Sequence, residues 1–431
     1  MKIQKLQGRR VWDSRGIPTV EAEITLADGA VGRAIAPAGA SRGSEEAVEL
    51  RDGGERFGGR GVDNALQSMS EVIAPALVGM DAENQQGIDG RLIELDGTRQ
   101  KSRLGGNAII AVSMAAAHAA AASAKKPLWS YLSDGFACRL PMPIVQLFGG
   151  GAHASGRIDI QDILVVPVRA ESFDEATAIV AEVYRAGGQI MADRGLMRGV
   201  ADEGGWWPEF KNNEEVLGTT VQAIEKAGLR PGDDVAIAID VAATQFYNAG
   251  RYRLTADDVE LSSGEFVERL VGWCRRYPIV SVEDPVGEKD HAGMRAFTSA
   301  VGETVQVIGD DYLVTSSRLI AEAVERGACN AVLLKPNQVG TLTETRQALD
   351  EARKAGWHTV VSARSGETED VTIVHLAVGW GADQLKVGSF ARSERMAKWN
   401  EAIRVEQALG SKATFAGRAA IGGLRTLAPA K

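Results

Sequence analysis

Short apolar runs alternate with amphipathic helical stretches from about residue 160 onward, and this alternation limits the fold more than any other feature of the chain. Unbroken apolar runs are typical of strands buried on both faces of a parallel sheet that helices cover. The runs span 160–166, 235–239, 279–282, 305–308, 331–334, 359–361 and 384–385, and the predicted helices span 172–185, 213–227, 264–275, 316–326 and 341–355. The region has the length of a closed (β/α)₈ barrel, so we predict a parallel barrel.

The first third of the chain has the pattern of an α+β domain. Residues 20–26 alternate apolar and polar side chains, Asp28-Gly29 is a hairpin turn signal, and a second strand is predicted over 31–35. Helical spacing follows over 64–78 and 104–124. We therefore predict two domains, an N-terminal α+β domain of residues 1–138 and a C-terminal β/α barrel of residues 139–431.

Ionic residues stand at the ends of the apolar runs. They are Asp240, Glu283, Asp310, Lys335, Arg364 and Lys386. Because the active site of a barrel lies at the C-terminal ends of its strands, we expect them to meet at one mouth. Three carboxylates without a nearby histidine or thiolate favour a hard cation such as Mg²⁺, and a lysine beside that cation could act as a base. The alternative is that each acid caps the helix after its strand.

Composition excludes several classes of function. The formal charge of −9 disfavours binding to nucleic acid or to an anionic membrane. Three cysteines without close spacing predict neither a disulfide framework nor a zinc site, and the start of the chain lacks the apolar segment of a signal peptide, so we expect a cytoplasmic protein. The alanine-rich run 108–124 contains Ser113 and His118, which predicts a buried helix rather than a membrane span.

Longer motifs from Gly8 to Gly410 resemble those of enolases. They are Asp13-Ser14-Arg15-Gly16, Gly39-Ala40-Ser41, Glu49-Leu50-Arg51-Asp52-Gly53, Leu95-Asp96-Gly97-Thr98, Asp202-Glu203-Gly204-Gly205, Glu283-Asp284-Pro285, Gly309-Asp310-Asp311, Gly340-Thr341-Leu342-Thr343-Glu344, Arg364-Ser365-Gly366-Glu367-Thr368-Glu369-Asp370 and Arg392-Ser393-Glu394-Arg395. The resemblance implies an N-terminal α+β cap on a modified (β/α)₈ TIM barrel. It also implies a two-Mg²⁺ site that removes a proton alpha to a carboxylate and then expels hydroxide, the chemistry for which the superfamily uses a lysine or histidine base.

The resemblance assigns the chemical steps to particular residues. Asp240, Glu283 and Asp310 match the ligands of the first Mg²⁺. Lys335 matches the base that takes the proton from C2, and Glu203 matches the acid that assists hydroxide loss. Two dications on the substrate carboxylate would stabilise the dianionic intermediate.

Other matches imply contacts with the substrate. Lys386 matches the cation on the substrate carboxylate, and Arg364 and Ser365 match the phosphate contacts. Ser41 matches the mobile-loop ligand of the second Mg²⁺, with a place beside the substrate, and His153 matches the histidine of another closing loop.

Departures from the family motifs point to a different substrate. Gln161-Asp162 replaces the family's Gln-Glu, so the helper acid is one methylene shorter while the glutamine keeps its place beside the substrate. Ala363 stands where the family has histidine, Arg42 where it has threonine, and Trp206-Trp207 where it has Phe-Ala. We interpret the loss of a histidine and the gain of Arg42 as a pocket for a differently shaped or more anionic substrate.

The sequence is compatible with three functions. The first is a specialised paralogue that makes carboxyphosphonoenolpyruvate in phosphonate antibiotic biosynthesis, with Arg42 meeting the extra carboxylate. The second is an ordinary enolase that converts 2-phosphoglycerate to phosphoenolpyruvate, its substitutions being drift or, for the tryptophans, core packing. The third is a catalytically inactive structural or binding protein. In each case the resemblance implies a homodimer or higher homo-oligomer, and for an enzyme a small phosphorylated or phosphono carboxylate as the partner.

Overall fold

The N-terminal domain is an antiparallel sheet covered by helices. The computed structural model describes residues 1–40, 42–133, 135 and 137–421. The sheet has the order β1 (Ile3–Trp12), β2 (Pro18–Leu26) and β3 (Val31–Ile35), and the predicted hairpin between β2 and β3 is confirmed. The helices are α1 (Asp63–Ser68), α2 (Ala74–Leu77), α3 (Gln85–Asp96), α4 (Gly106–Ser123) and α5 (Leu128–Leu132), with a π-helical turn, Met69–Ile73, joining α1 to α2.

The alanine-rich helix α4 forms the core of this domain. A side chain at Gly32 of β3 would place its Cβ 2.2 Å from the backbone nitrogen of Ala119, so the glycine lets the sheet and α4 approach closely. Helix α4 is long and apolar enough to cross a membrane, but 83% of it is buried inside the protein. It is therefore packed as a core helix, as the sequence predicts.

The second domain is a closed barrel of eight strands. The barrel strands are β5 (Met142–Gly149), β6 (Asp162–Val166), β7 (Ala236–Asp240), β11 (Ile279–Glu283), β12 (Gln306–Gly309), β13 (Ala331–Leu334), β14 (His358–Ser362) and β15 (Gln384–Ser389). Outside the barrel, β8 (Tyr247–Asn248), β9 (Arg251–Leu254) and β10 (Val259–Ser262) form a small sheet, and β4 (Arg139–Leu140) pairs with β16 (Thr414–Phe415). The predicted fold, a modified TIM barrel with an N-terminal α+β domain, is confirmed.

Two features of the barrel differ from the sequence prediction. Strand β5 was missed, because Pro143 near its start reads as punctuation, although all eight of its residues are buried. Strand β6 runs antiparallel to both β5 and β7, so the prediction of a wholly parallel sheet was wrong at this strand. The connection from β5 to β6 holds only a 3₁₀ turn, Gly151–Ala154, and no crossover helix, whereas a parallel pair needs a long crossover.

Five helices of the second domain, α6, α7, α8, α10 and α12, lie where the sequence predicts them, and the side chains that cap the helices are not those of the strand-end acids. They are α6 (Phe173–Asp193), α7 (Asn213–Lys226), α8 (Ser263–Arg276), α9 (His291–Val301), α10 (Ser317–Arg326), α11 (Pro336–Val339), α12 (Leu342–Lys354), α13 (Thr372–Gly379) and α14 (Ser393–Leu409). The capping side chains belong to Ser172, Asn212, Ser262, Asp290, Ser316 and Thr341. The helix-capping alternative for Asp240, Glu283 and Asp310 is therefore wrong.

Candidate active site

A small, partly open cavity lies at the mouth of the barrel. It is lined by His153, Gln161, Asp162, Glu203, Asp240, Lys335, Ser362, Ala363, Arg364, Ser365, Lys386, Val387 and Gly388. Nine of these residues are ones that the sequence singles out for the site, and they come from distant parts of the chain. Glu283 and Asp310 lie directly beside the cavity, in contact with the two lysines that line it.

Lys386, near the middle of β15, joins three carboxylates. Its Nζ lies 2.9 Å from Oδ2 of Asp240, 2.8 Å from Oε2 of Glu283 and 3.4 Å from Oδ2 of Asp162. Burial lowers the pKa of Lys386, but the carboxylates of Asp240 and Glu283 outweigh burial and raise the pKa well above its ordinary value. Lys386 therefore carries a fixed positive charge at the centre of the barrel mouth.

Lys335 follows β13 and pairs with Asp310. Its Nζ lies 2.5 Å from Oδ2 of Asp310. Burial is the largest influence and lowers the pKa of Lys335, but the carboxylates of Asp310 and Glu283 together raise it, so the net pKa is above its ordinary value. The amide nitrogen of Gln338 donates to Oδ1 of Asp310 at 2.9 Å, and the hydroxyl of Thr315 donates to Oε1 of Gln338 at 2.6 Å. Asp310 is thus held by Gln338 as well as by Lys335.

Asp284 orients the loop that carries Asp310. Its two carboxylate oxygens accept the backbone N–H groups of Asp310 and Asp311, each at 2.8 Å, from a backbone with φ of +39°. Burial and the neighbouring carboxylate of Asp310 raise the pKa of Asp284 well above its ordinary value. The second acid of the Glu283-Asp284-Pro285 motif therefore supports the loop.

The acidic groups fit a hard divalent cation. Within the described ranges, the sets of three whose ligand atoms lie within 4.8 Å of one another are His153, Asp162 and Glu203, and Asp284, Asp310 and Asp311. The predicted set of Asp240, Glu283 and Asp310 is not one of these; Asp240 and Glu283 both pair with Lys386, and Asp310 pairs with Lys335.

One carboxylate oxygen of Glu283 is placed where a cation could satisfy it. Oε1 of Glu283 is buried without a hydrogen-bond partner, and burial together with the carboxylate of Asp240 raises the pKa of Glu283 well above its ordinary value. A buried carboxylate oxygen in that condition is costly unless a proton or a cation satisfies it. The all-oxygen donor set is the kind that Mg²⁺ prefers.

His153 is placed by the 3₁₀ turn between β5 and β6. Its Nδ1 lies 2.8 Å from Oδ1 of Asp162, and its Nε2 lies 3.0 Å from the hydroxyl of Ser365 and 3.7 Å from Oε1 of Glu203. Burial lowers the pKa of His153, but Asp162 and Glu203 outweigh it and raise the pKa to about 9. Burial raises the pKa of Asp162, but His153 and Lys386 outweigh burial and bring the pKa to well below its usual range. His153 is therefore an imidazolium at neutral pH.

The loop after β14, which carries Arg364 and Ser365, is held from behind by helix α14. The guanidinium of Arg395 donates to the carbonyl oxygens of Arg364 at 2.7 Å and of Ser365 at 2.5 Å. The ammonium group of Lys398 lies 2.9 Å from a carboxylate oxygen of Glu367, whose other oxygen accepts the backbone N–H of Arg364 at 2.9 Å. Both cations are fully buried, so they fix the loop rather than contact solvent.

Ser41, a predicted metal ligand, lies outside the described residues. Arg42 and Trp206 are described and do not line the cavity. Arg42 is 43% exposed and pairs with Glu49 at 3.5 Å. Trp206 stacks on Tyr184 of α6, with ring centroids 4.6 Å apart, and donates its indole N–H to that residue's carbonyl oxygen at 2.9 Å.

These positions correct the interpretation of the departures from the family motifs. Trp206 packs on Tyr184, as in the core-packing alternative for the tryptophans, and Trp207 does not line the cavity either. Among the described residues that differ from the family motifs, Ala363 and Asp162 are the ones in the cavity lining.

The sequence analysis missed residues that act behind the lining. Glu46 and Asn337 bind the guanidinium of Arg364, and Gln146 donates to Asp162. Arg395 lies in a quoted motif, which was the available signal for it. Glu46 lies between two quoted motifs, with nothing in the local pattern to connect it to residue 364.

Two family models match this chain and together cover nearly all of it. The model described as "Enolase, N-terminal domain" matches residues 3–132, and the model described as "Enolase, C-terminal TIM barrel domain" matches residues 137–423. The chain belongs to the enolase family. Its membership, with the acidic groups at the barrel mouth, makes it an enolase-superfamily enzyme of the lyase type. The predicted domain boundary at residue 138 and the roles of the individual site residues stay predictions.

Proposed function

We propose that this enolase-family protein is a Mg²⁺-dependent enzyme that forms carboxyphosphonoenolpyruvate in phosphonate natural-product biosynthesis. The observation that carries the proposal is Ala363, which lines the cavity between Ser362 and Arg364 where the family motif has an imidazole. An alanine there leaves room beside the anion-binding arginine. In the proposed substrate a carboxylate replaces one oxygen on phosphorus. This larger group needs the additional room, and its negative charge would face the cationic side chains of the lining.

The substrate of this reaction is the glycerate that corresponds to the product, with a hydrogen on C2 and a hydroxyl on C3. Lys335, once it has released its proton, takes the C2 hydrogen as a proton, and the electron pair of that bond moves into the substrate carboxylate. The electrons then form the C2–C3 double bond while hydroxide leaves C3, and Glu203 supplies a proton so that water departs. The products are the enol and water, so atoms and charge balance.

The charged lining favours this course of events. Lys386 would hold the substrate carboxylate, and Arg364, Ser365 and the imidazolium of His153 would hold the phosphonate. Asp240, Glu283 and Asp310 would hold Mg²⁺, with Ser41 as the expected ligand of a second ion, and bound Mg²⁺ would supply positive charge against the negative charge that develops on the carboxylate. Lys335 pairs with Asp310, and a cation on Asp310 would weaken that pair and favour the neutral amine that a base requires.

An ordinary enolase reaction on 2-phosphoglycerate is the second candidate. It is supported by the presence of all the residues that match the family's base, acid and metal ligands, and by Trp206 and Arg42, which lie outside the cavity lining. The third possibility, an inactive scaffold, has no support from the acidic groups, which are complete. We also expect a homo-oligomer in the cytoplasm, as the family resemblance implies.

The test is to assay the purified protein with Mg²⁺ and to follow the ultraviolet absorbance of the enol product. The two substrates are 2-phosphoglycerate and the glycerate that carries a carboxyphosphono group on its C2 oxygen. Faster turnover of the carboxyphosphono compound supports the proposal. Turnover of 2-phosphoglycerate at the higher rate supports the ordinary reaction, and turnover of neither with intact Mg²⁺ binding overturns both.

A further inference from the structure

Glu46 is a buried carboxylate in the N-terminal domain that contacts the anion-binding arginine of the barrel. Its side chain is 4% exposed, and that of Arg364 is 3% exposed. Nη1 of Arg364 lies 2.9 Å from Oε2 of Glu46, and Nη2 lies 3.3 Å from Oε1. A two-point contact of this kind fixes the plane of a guanidinium as well as its position. Glu46 itself is not part of the cavity lining, so it lies behind Arg364 as seen from the substrate.

The same carboxylate reaches the metal side of the site. Oε1 of Glu46 accepts the backbone N–H of Gly43 at 3.0 Å and lies 3.4 Å from Nε2 of Gln338. Nε2 of Gln338 also donates to Asp310, the partner of Lys335, at 2.9 Å. A single buried side chain therefore connects the start of the 43–49 segment, the anion-binding arginine and the residue that matches a metal ligand.

We propose that Glu46 is a positioning residue that serves as the built-in counter-anion of Arg364 and links the anion subsite to Asp310. The inference rests on the proposed function only in taking Arg364 as the residue that binds the substrate's phosphorus-bearing group. A buried guanidinium needs a negative partner when no ligand is bound, and Glu46 supplies it. When an anion binds on the cavity side, the guanidinium is shared between that anion and Glu46, so Glu46 also limits how strongly anions bind.

The consequence is that an external anion can replace the missing charge of Glu46. In Glu46→Gln the amide keeps the shape of the side chain, but the guanidinium loses the carboxylate that contacts it at two points. The variant is then less stable than the parent protein without ligand, and it gains more from inorganic phosphate because phosphate supplies the missing charge. A residue with only a packing role would lower stability without changing the response to phosphate.

The experiment is thermal unfolding of the full chain at increasing inorganic phosphate, without substrate and at constant ionic strength. The matched control is Glu45→Gln, which removes the same charge from the neighbouring, exposed residue that pairs with Arg99. We expect the apparent phosphate affinity of Glu46→Gln to exceed that of the parent and of the control by at least about fivefold. Glu46→Asp keeps the charge on a shorter arm and should fall between the parent and the glutamine variant.

The outcomes separate this inference from the proposed function. A phosphate response in the parent that is unchanged in Glu46→Gln overturns the role of Glu46 and leaves the anion subsite standing. The absence of a response in all of the proteins overturns the anion subsite and the role of Glu46 with it. If Glu46→Gln does not fold, Glu46→Asp decides, since a phosphate affinity equal to that of the parent would contradict the inference.

Discussion

Asp162, the first residue of β6, lies in register with Asp240, the last residue of β7. The pairing exists because β6 runs against its neighbours, so that its first residue is at the barrel mouth. Lys386 lies between the two carboxylates, 3.4 Å from one and 2.9 Å from the other, and His153 binds Asp162 from the far side. One reversed strand therefore joins the acid–imidazolium pair to the residues that match the metal ligands.

Replacement of Asp162 by asparagine should lower the pKa of His153, so that its imidazole loses its proton at neutral pH. Without the carboxylate at 2.8 Å, burial dominates, and the pKa of His153 should fall from about 9 toward or below its ordinary value of about 6.5. The measurement is a titration of the imidazole C–H signals by NMR. The His291→Gln variant identifies the signal of the exposed His291, so that it is not mistaken for that of His153. A His153 pKa that stays near 9 in Asp162→Asn would show that another group holds the proton.

The other buried histidines should make the protein sensitive to acid. His375 packs edge-on against His118 with ring centroids 6.3 Å apart, and its Nε2 lies 3.6 Å from a carboxylate oxygen of Glu401. Burial, with a smaller contribution from His118, lowers the pKa of His375 to about 4.

The sign of this effect follows from proton binding. Below about pH 6.5 the unfolded chain binds a proton at residue 375 that the folded protein does not, so stability falls as the pH falls from 7 toward 4, by up to about 3 kcal/mol. His375→Gln should lose less stability over that interval in urea unfolding experiments. Equal losses in the two proteins would contradict the prediction.

Glu283 should be essential for the binding of Mg²⁺. Its buried Oε1 lacks a hydrogen-bond partner and would be satisfied by a cation. In Glu283→Gln we therefore expect the apparent Mg²⁺ affinity, measured from the rise of Tm with Mg²⁺ concentration, to fall by at least about tenfold. The control is Glu182→Gln, which removes an exposed carboxylate from α6. An unchanged response to Mg²⁺ in Glu283→Gln would place the metal elsewhere.

Ala363 should be the main determinant of substrate choice. Since Ala363 lines the cavity and Arg42 pairs with Glu49 outside it, we expect Ala363→His to raise turnover of 2-phosphoglycerate relative to the carboxyphosphono compound. Arg42→Thr alone should change the ratio little. The measurement is kcat/KM for both compounds in the two single variants and the double variant. A switch that requires Arg42→Thr would show that the 39–43 segment reaches the substrate.

Much of the architecture could be predicted from the sequence because burial and strand ends leave a local trace. Asp240, Glu283 and Lys335 each follow an apolar run, and the barrel geometry then brings them together. The direction of β6 could not be predicted, because an apolar run looks the same in a parallel and an antiparallel strand. Only the short connection from residue 150 to residue 161 carries that information.

Contacts between the two domains were beyond the sequence analysis for a different reason. Glu46 and Arg364 are 318 positions apart and meet only after the barrel and the N-terminal domain have formed. The sequence could not show whether Trp206 packs in the core or lines the site, because Trp206 follows Glu203 in the chain after only two glycines. Its ring packs on Tyr184, since the backbone turns at Gly204, which has a φ of +94°, between the two residues.

The central claim is that Lys335 removes a proton from the carbon next to the substrate carboxylate. The most direct test is to incubate the protein with Mg²⁺ and the preferred substrate in D₂O and to follow deuterium incorporation at C2 of the remaining substrate by NMR. We predict that Glu203→Gln, which keeps the base but lacks the acid, exchanges the C2 proton while product formation falls by about 10²–10⁴-fold. We predict that Lys335→Met, which still folds and binds Mg²⁺, shows neither exchange nor product. Exchange at the parent rate in Lys335→Met would contradict the account.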